Sequence, residues 1–292
     1  MRLTARTVWP LAALTATAFA AVTLLPHGAA APAKLAASTI PTPAHVVIVM
    51  EENHSYADII NSSSTTTYFN SLASQGALLT DSFAVTHPSE PNYMALFAGS
   101  TFGLTADTCP ANEGSTANLG SELLAAGDTF KGYSEGLPKT GSTTCTSGNY
   151  ARKHSPWINF SNVPTADSLP FTSFPSSSNY ASLPTLSFVI PNLNDDMHNG
   201  TIAQANTWLQ TNLSAYATWA KTHNSLLIVT FDEDSGTSVN QIFTTFTGAH
   251  VKVGSYSESI SHYTVLRTIE AAHGLPGINN AASKSPILDV WK

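Results

Sequence analysis

A chain of 292 residues with 42% hydrophobic and 11% charged side chains is long enough to bury one sizeable core, and we read a single folded domain behind an export leader. Twelve Lys plus Arg against nineteen Asp plus Glu leave a net charge of -7. No basic run could track a phosphate backbone, so nucleic acid is excluded as a partner.

In chain order, the first element is the leader. Arg2 and Arg6 precede an apolar stretch from Val8 to Leu25, and Ala29, Ala30 and Ala31 follow it, the layout of a secretion signal over residues 1–31. A retained membrane anchor is the alternative; the alanines fit a cleavage site better, which leaves no stable anchor in the mature, extracellular protein. Residues 32–44 read as a Pro/Ala/Ser/Thr-rich tether and 45–292 as the domain itself. Export places Cys109 and Cys145 in an oxidising compartment, so one disulfide pinning a long loop is expected rather than two reduced thiols.

Within the domain, "HVVIVME" reads as a buried strand by its β-branched run. A helix near Thr67 to Gln75 follows, then "GALLTDSFAV" as a second strand. "PNYMALFAGST" looks like a helix opening after Pro91, and "GSELLAAGDTF" like a capped helix leading into a strand around Phe130 to Tyr133. Residues 134–184 are rich in Ser, Thr, Pro and Gly, a length of loop that is usually functional or disulfide-tied. "TLSFVIPN" and "SLLIVTFDE" are buried strands flanking the helical "TIAQANTWLQTNLSAYATWAKTH". A strand pair around Gln241 to Val253 and a helix "SHYTVLRTIEAAHGL" ending at Gly274 complete the chain. This alternation predicts an α/β sheet covered on both faces.

Ligands collect at the carboxyl ends of strands in such sheets. Four polar clusters stand where a strand has just ended: Glu51, Glu52 and Asn53; Ser89 in "THPSEPNY"; Asp195, Asp196 and His198; and Asp232, Glu233 and Asp234. His262 opens the last helix. Any one of these is an ordinary solvated or capping residue, as His45, His223, His250 and His273 are read to be. Together, carboxylates and imidazoles at one sheet edge suit a hard or borderline cation.

The order of these groups resembles the alkaline phosphatase superfamily. More closely, "EENHSY", "THPSEPNY", "DMHNG", "FDED" and "SHYTVLRTIE" resemble the bacterial phosphoesterase family of acid phosphatases and phosphatidylcholine-type phospholipases C, and within it the short secreted acid phosphatases of the SapM type, with "ARKHSPWINFSNVP" shared as well. The resemblance implies a layered fold with a mostly parallel sheet and assigns roles by matched position. Glu52, Asp232 and Glu233 become metal ligands, Asn53 a ligand or phosphate contact, and Ser89 the nucleophile. Asp196, His198 and His262 match a second cluster that holds a second metal in the wider superfamily. In the nearer family that cluster is reduced, so its histidines become candidates for contacting phosphate and protonating the leaving group. Glu51, on the other strand face, is a structural neighbour. Mg, Ca or Mn suits the oxygen-rich set, and the histidines leave Zn or Fe open.

The chemistry accounts for these residue types. A phosphate monoester repels nucleophiles, so a cation must neutralise its oxygens and activate the Ser89 hydroxyl, which then gives a phosphoserine that water hydrolyses. His198 or His262 would protonate the leaving alkoxide. His154, in "RKHSPW", reads as phosphate recognition or as part of a basic loop balancing surface charge. Substrates are phosphorylated small molecules or lipid head groups, phosphoinositides included by the resemblance. The nearest rival is a phospholipase C with an apolar lip near Trp157 and Phe160; a cation-stabilised binding protein is the non-catalytic rival. "GYSEG", Gly132 to Gly136, matches the serine-esterase pattern, but "LPKTGSTT" cannot continue as the required helix.

Overall fold

The computed structural model describes Met1, residues 40–61 and residues 63–292. The leader and most of the tether lie outside the described residues. Among those described, no helix is long and apolar enough to cross a membrane.

The elements in chain order are β1 (His45–Glu51), α1 (Tyr56–Ile59), α2 (Thr67–Gln75), β2 (Ala77–Leu79), β3 (Ser82–Phe83), α3 (Ser89–Ala98), α4 (Leu119–Ala125), β4 (Phe130–Ser134), β5 (Thr146–Ser147), β6 (Tyr150–Ala151), β7 (Ser168–Pro170) and β8 (Leu186–Ile190). Then come α5 (Ile202–Ala220), β9 (Ser225–Phe231), β10 (Thr244–Gly248), β11 (Gly254–Tyr256), β12 (Ile260–Ser261) and α6 (His262–Ala272). Eight strands form one sheet in the order β11-β2-β10-β9-β1-β8-β4-β7. All run parallel except β10, which is antiparallel to both of its neighbours.

The near-continuous apolar runs of β1, β8 and β9 follow from burial on both faces. In β1, Val46, Ile48 and Met50 face a core shared with α3, α4 and α6. Val47 and Val49 face a second core under α2 and α5. The two-residue period therefore sends Glu51 to the second face and Glu52 to the first. Helix α5 buries Ala205, Leu209, Leu213 and Tyr216 at helical spacing, and the Thr201 side chain caps it by accepting from Gln204 N.

Four expectations are corrected. "GALLTDSFAV" is two strands, because the chain turns at Thr80 and Asp81; β2 joins the large sheet and β3 pairs with β12. Helix α3 opens at Ser89 rather than after Pro91, since a proline in the first helical turn removes no hydrogen bond the helix needs. The strand pair near Gln241 to Val253 is one strand, β10, and Val251 makes only an isolated bridge to Trp291. Trp157 is no apolar lip: it is 1% exposed, seated edge-on to Phe130. Gly132 makes that seat, since a Cβ there would lie 2.1 Å from the Trp157 ring. Phe160 is likewise buried, against Phe97.

Segment 134–184 is ordered by short 3-10 turns, by β5–β7 and by the Cys109–Cys145 disulfide. Ser134 ends β4 with no helix after it, and its hydroxyl is hydrogen-bonded to that of Ser155, 2.8 Å away. The esterase elbow is therefore not built.

Candidate active site

The site lies past the carboxyl ends of β1, β8 and β9. Backbone hydrogen bonds continue beyond the strands and fix it there: Glu52 N donates to Asp196 O and Asp232 N to Glu51 O, each at 2.9 Å. Asn53, at φ 55, turns its own N–H onto Asp232 Oδ1 at 3.1 Å; asparagine tolerates this left-handed backbone better than most residues. Met197, at φ 78, bends the chain so that His198 N donates to Asp196 Oδ1 at 2.8 Å.

Helix α3 presents Ser89 at its first position, where the helix dipole favours negative charge. The buried Ser89 hydroxyl lies within donating reach of Glu52 Oε2 at 3.0 Å and Glu233 Oε1 at 3.1 Å. One turn on, Tyr93 donates its hydroxyl to Glu52 Oε1 at 2.6 Å. The Tyr93 ring stacks on His154, with centroids 4.8 Å apart. His154 Nε2 is 2.9 Å from Glu52 Oε1, and its Nδ1 is 3.3 Å from Asp196 Oδ2.

Charge explains this packing. Burial disfavours an ionised Glu52, but the adjacent His154 and its hydrogen bonds outweigh burial and hold Glu52 down at about 2. Burial likewise works against a charged His154, and Glu52 and Asp196 together raise it to about 9. Asp232 has no such cation: burial first, then Glu52 and Glu233, push it well above the carboxylate range. Burial also raises Asp196 and Glu233. His262 is buried and pushed down to about 4 by desolvation. Its Nε2 donates to the Asp232 carbonyl at 2.7 Å, which leaves Nδ1 unprotonated and without a hydrogen-bond partner.

The structure thus brings Glu52, Ser89, Glu233, His154 and Asp196 into one connected cluster, with Asp232, Asn53 and His262 bonded along its edge. His198 stands farther out, half-buried, its ring 5.9 Å from that of His154. His198 Nε2 accepts from Lys153 Nζ at 3.3 Å. Both histidines expected to serve as leaving-group acids are engaged: the Nε2 proton of His262 is committed to a carbonyl, and His198 has Lys153 on Nε2 and Asn199 Oδ1 on Nδ1 at 2.9 Å. They differ in that His198 is partly exposed where His262 is buried.

Sequence reasoning missed Tyr93 and His87. Tyr93 sits in an apolar helical run and reads as core. His87 is bonded to Glu233 through Nδ1 and to Thr237 O through Nε2 at 3.1 Å; its place beside Ser89 in "THPSEPNY" was the available signal. A cavity of about 510 Å³ opens beside it, lined by Asn53, His87, Glu233, Asp234 and Gly236.

The family model for the phosphoesterase family matches residues 60–276. The chain belongs to the phosphoesterase family. It is 61% identical over 264 residues to the phosphatidylinositol-3-phosphatase of Mycobacterium tuberculosis, covering 90% of this chain and 88% of that protein. An acid phosphatase of Aspergillus fumigatus is 33% identical over 242 residues, and that match spans 75% of this chain but only 53% of the fungal protein. Among solved structures, a Vibrio parahaemolyticus protein of the alkaline phosphatase superfamily superposes with a TM-score of 0.59 at 12% identity, covering 86% of this chain and 72% of that one. The lipoteichoic acid synthase LtaP of Listeria monocytogenes gives 0.59 at 10% identity, covering 86% and 77%. These two likenesses establish the layered α/β fold of this phosphoesterase.

The residues at this edge fit a metal ion. Asp232 Oδ2 is buried with no hydrogen-bond partner. Four carboxylates crowd one edge; His154 stands between Glu52 and Asp196 and His87 on Glu233, which leaves Asp232 beside carboxylates with no histidine of its own, an arrangement that costs free energy unless a cation offsets it. Glu52, His154 and Asp196 also hold ligand-capable atoms within 4.8 Å of one another.

Proposed function

We propose that this phosphoric monoester hydrolase is an exported acid phosphatase with Ser89 as nucleophile, and that phosphoinositide 3-phosphates are among its substrates. The observation that carries the mechanism is the Ser89 hydroxyl, at the first position of α3, within 3.1 Å of two glutamates. The substrate class is suggested by the activity named for the 61%-identical mycobacterial relative. Export follows from the leader over residues 1–31.

Glu52, Asp232 and Glu233 are the residues that would hold a divalent cation, with Asp196 beside them; Mg, Ca or Mn suits this oxygen set. Such an ion, when bound, neutralises phosphoryl oxygens and lowers the pKa of a nearby hydroxyl. The remaining work falls to side chains. Glu52 or Glu233 takes the Ser89 proton as Ser89 attacks phosphorus and the ester oxygen leaves. Asn53 binds phosphoryl oxygens, and the His154 imidazolium, paired through both nitrogens with Glu52 and Asp196, holds these two carboxylates in place. His198, nearer the solvent, takes a proton from water at Nε2, in place of its Lys153 contact, and gives it to the departing alkoxide. Water then hydrolyses the phosphoserine and returns Ser89. His262 orients Asp232 through its carbonyl.

The test is phosphate release from an aryl monoester and its diester by the mature chain and by Ser89→Ala. Monoester turnover lost in Ser89→Ala, with cation-dependent thermal stability retained, is the expected result. Full activity in Ser89→Ala removes Ser89 from the mechanism, and preferred diester cleavage replaces the phosphatase with a phospholipase C.

A further inference from the structure

A second cavity, of about 210 Å³, shares no lining residue with the first. It is lined by Ala151, Leu193, the Cys109–Cys145 disulfide, Lys153 and His198, with Asp107 at its rim. Neither Ser89 nor Glu52, Asp232 or Glu233 lines it. It adjoins the catalytic cluster through two bonded steps: Lys153 precedes His154, and His198 N is tied to Asp196. From this placement we propose that the cavity is a leaving-group subsite, and that Lys153 selects substrates whose polyol carries a second phosphate. The inference rests on the phosphatase reading and extends it to specificity.

Three features argue for it. The turn Arg152–His154 divides its cations: Arg152 is spent on Thr143 O and Asn159 Oδ1, at 2.9 and 3.0 Å, His154 faces Glu52, and Lys153 reaches the cavity wall. The Lys153 side chain is one-sixth exposed, and its ammonium is held from one side by Asp107 Oδ2 at 2.6 Å and from another by His198 Nε2 at 3.3 Å. An ammonium has three donors, so one remains for a ligand anion. Asp107 is itself fixed, since its Oδ1 accepts Glu90 N at 3.0 Å, next to the nucleophile. The cation is therefore positioned relative to Ser89 and does not wander.

The cavity size sets the occupant. Its volume falls below the roughly 300–1,000 Å³ of pockets that enclose drug-sized ligands. A single polyol ring suits it, with carbon against Ala151 and Leu193 and an anion at Lys153; an acyl chain does not. A phosphoinositide head group and a free inositol bisphosphate share this chemistry.

The experiment compares inositol 1,3-bisphosphate with inositol 3-phosphate for the mature enzyme, Lys153→Met, Lys153→Arg and Thr146→Trp, which fills the cavity from β5. One charge-assisted phosphate contact is worth about tenfold or more. Lys153→Met is expected to lower kcat/KM for the bisphosphate about ten times more than for the monophosphate. Lys153→Arg restores most of the difference, and Thr146→Trp raises KM for the bisphosphate. Equal losses on both substrates in Lys153→Met overturn the subsite while leaving the phosphatase reading intact. No turnover of either substrate by the unaltered enzyme overturns both. Dioctanoyl phosphatidylinositol 3-phosphate, as a third substrate, separates the sources: sensitivity to Lys153→Met equal to the bisphosphate's assigns the subsite to the lipid head group, and a monophosphate-like response assigns it to soluble polyol bisphosphates.

Discussion

Glu51 and Glu52 are neighbours on one strand, both 0% exposed, and they live in opposite electrostatic worlds. Glu52 faces α3 and collects Ser89, Tyr93 and His154. Glu51 faces the second core, where neither of its oxygens has a hydrogen-bond partner. Burial, then Asp196, Asp195, Glu52 and Glu135, push Glu51 well above the usual carboxylate range. Burial alone thus says nothing about whether a carboxylate is a working group; the partner set decides. One residue of strand period separates an ionised acid beside the Ser89 hydroxyl from a neutral one in a wall.

The largest contrast should come from the matched pair Glu52→Gln and Glu51→Gln. Removing the Glu52 charge takes away a proton acceptor for Ser89 and the partner of His154, so kcat/KM should fall at least roughly 10³-fold. Glu51→Gln replaces a neutral acid by a neutral amide of similar shape, and kcat/KM should change less than about threefold. Equal losses in steady-state assays would break the comparison.

Tyr93→Phe sharpens it on the active face. The ring stack on His154 is kept and only the 2.6 Å hydrogen bond to Glu52 is lost. A fall of about tenfold in kcat, with the melting temperature little changed, is expected from loss of one hydrogen bond to a charged group; an unchanged kcat would show that Tyr93 does not position Glu52.

The smallest effect is on stability. Glu270, on α6, is another buried glutamate and is far better supplied than Glu51: its Oε1 accepts Ile278 N at 3.1 Å, and Arg267 lies 3.3 Å from Oε2. Burial still outweighs these and raises Glu270 to about 7 from 4.5. A raised folded-state pKa means that protonation favours the folded form. Its stabilising contribution is full below pH 4.5 and is lost as pH rises through about 7. Glu270→Gln should therefore gain stability over the unaltered protein on going from pH 4.5 to 8, on the order of a kcal/mol. Parallel melting-temperature curves over that range would contradict it.

Much of this was legible in the sequence. β1, β8 and β9 announce themselves by β-branched runs, α5 by its period, and the acidic residues by their place just past those runs. What was not legible depended on partners distant in the chain. Trp157 looks like a surface lip until Gly132 is seen opposite it, and Tyr93 looks like core until its hydroxyl meets Glu52. The split of "GALLTDSFAV" is set by pairing with β11 and β12, more than 170 residues downstream. Lys153 carried no signal beyond its charge, because its role rests on Asp107 and His198, brought near by the fold.

The central claim is that Ser89 itself carries the phosphoryl group. A denaturing acid quench during steady turnover of a phosphate monoester, followed by mass analysis of the peptides, tests it directly. Phosphate on Ser89, at a level that rises and decays with substrate, is the predicted result. An unmodified Ser89 under continuing turnover, with phosphate on another side chain or on none, would contradict the account.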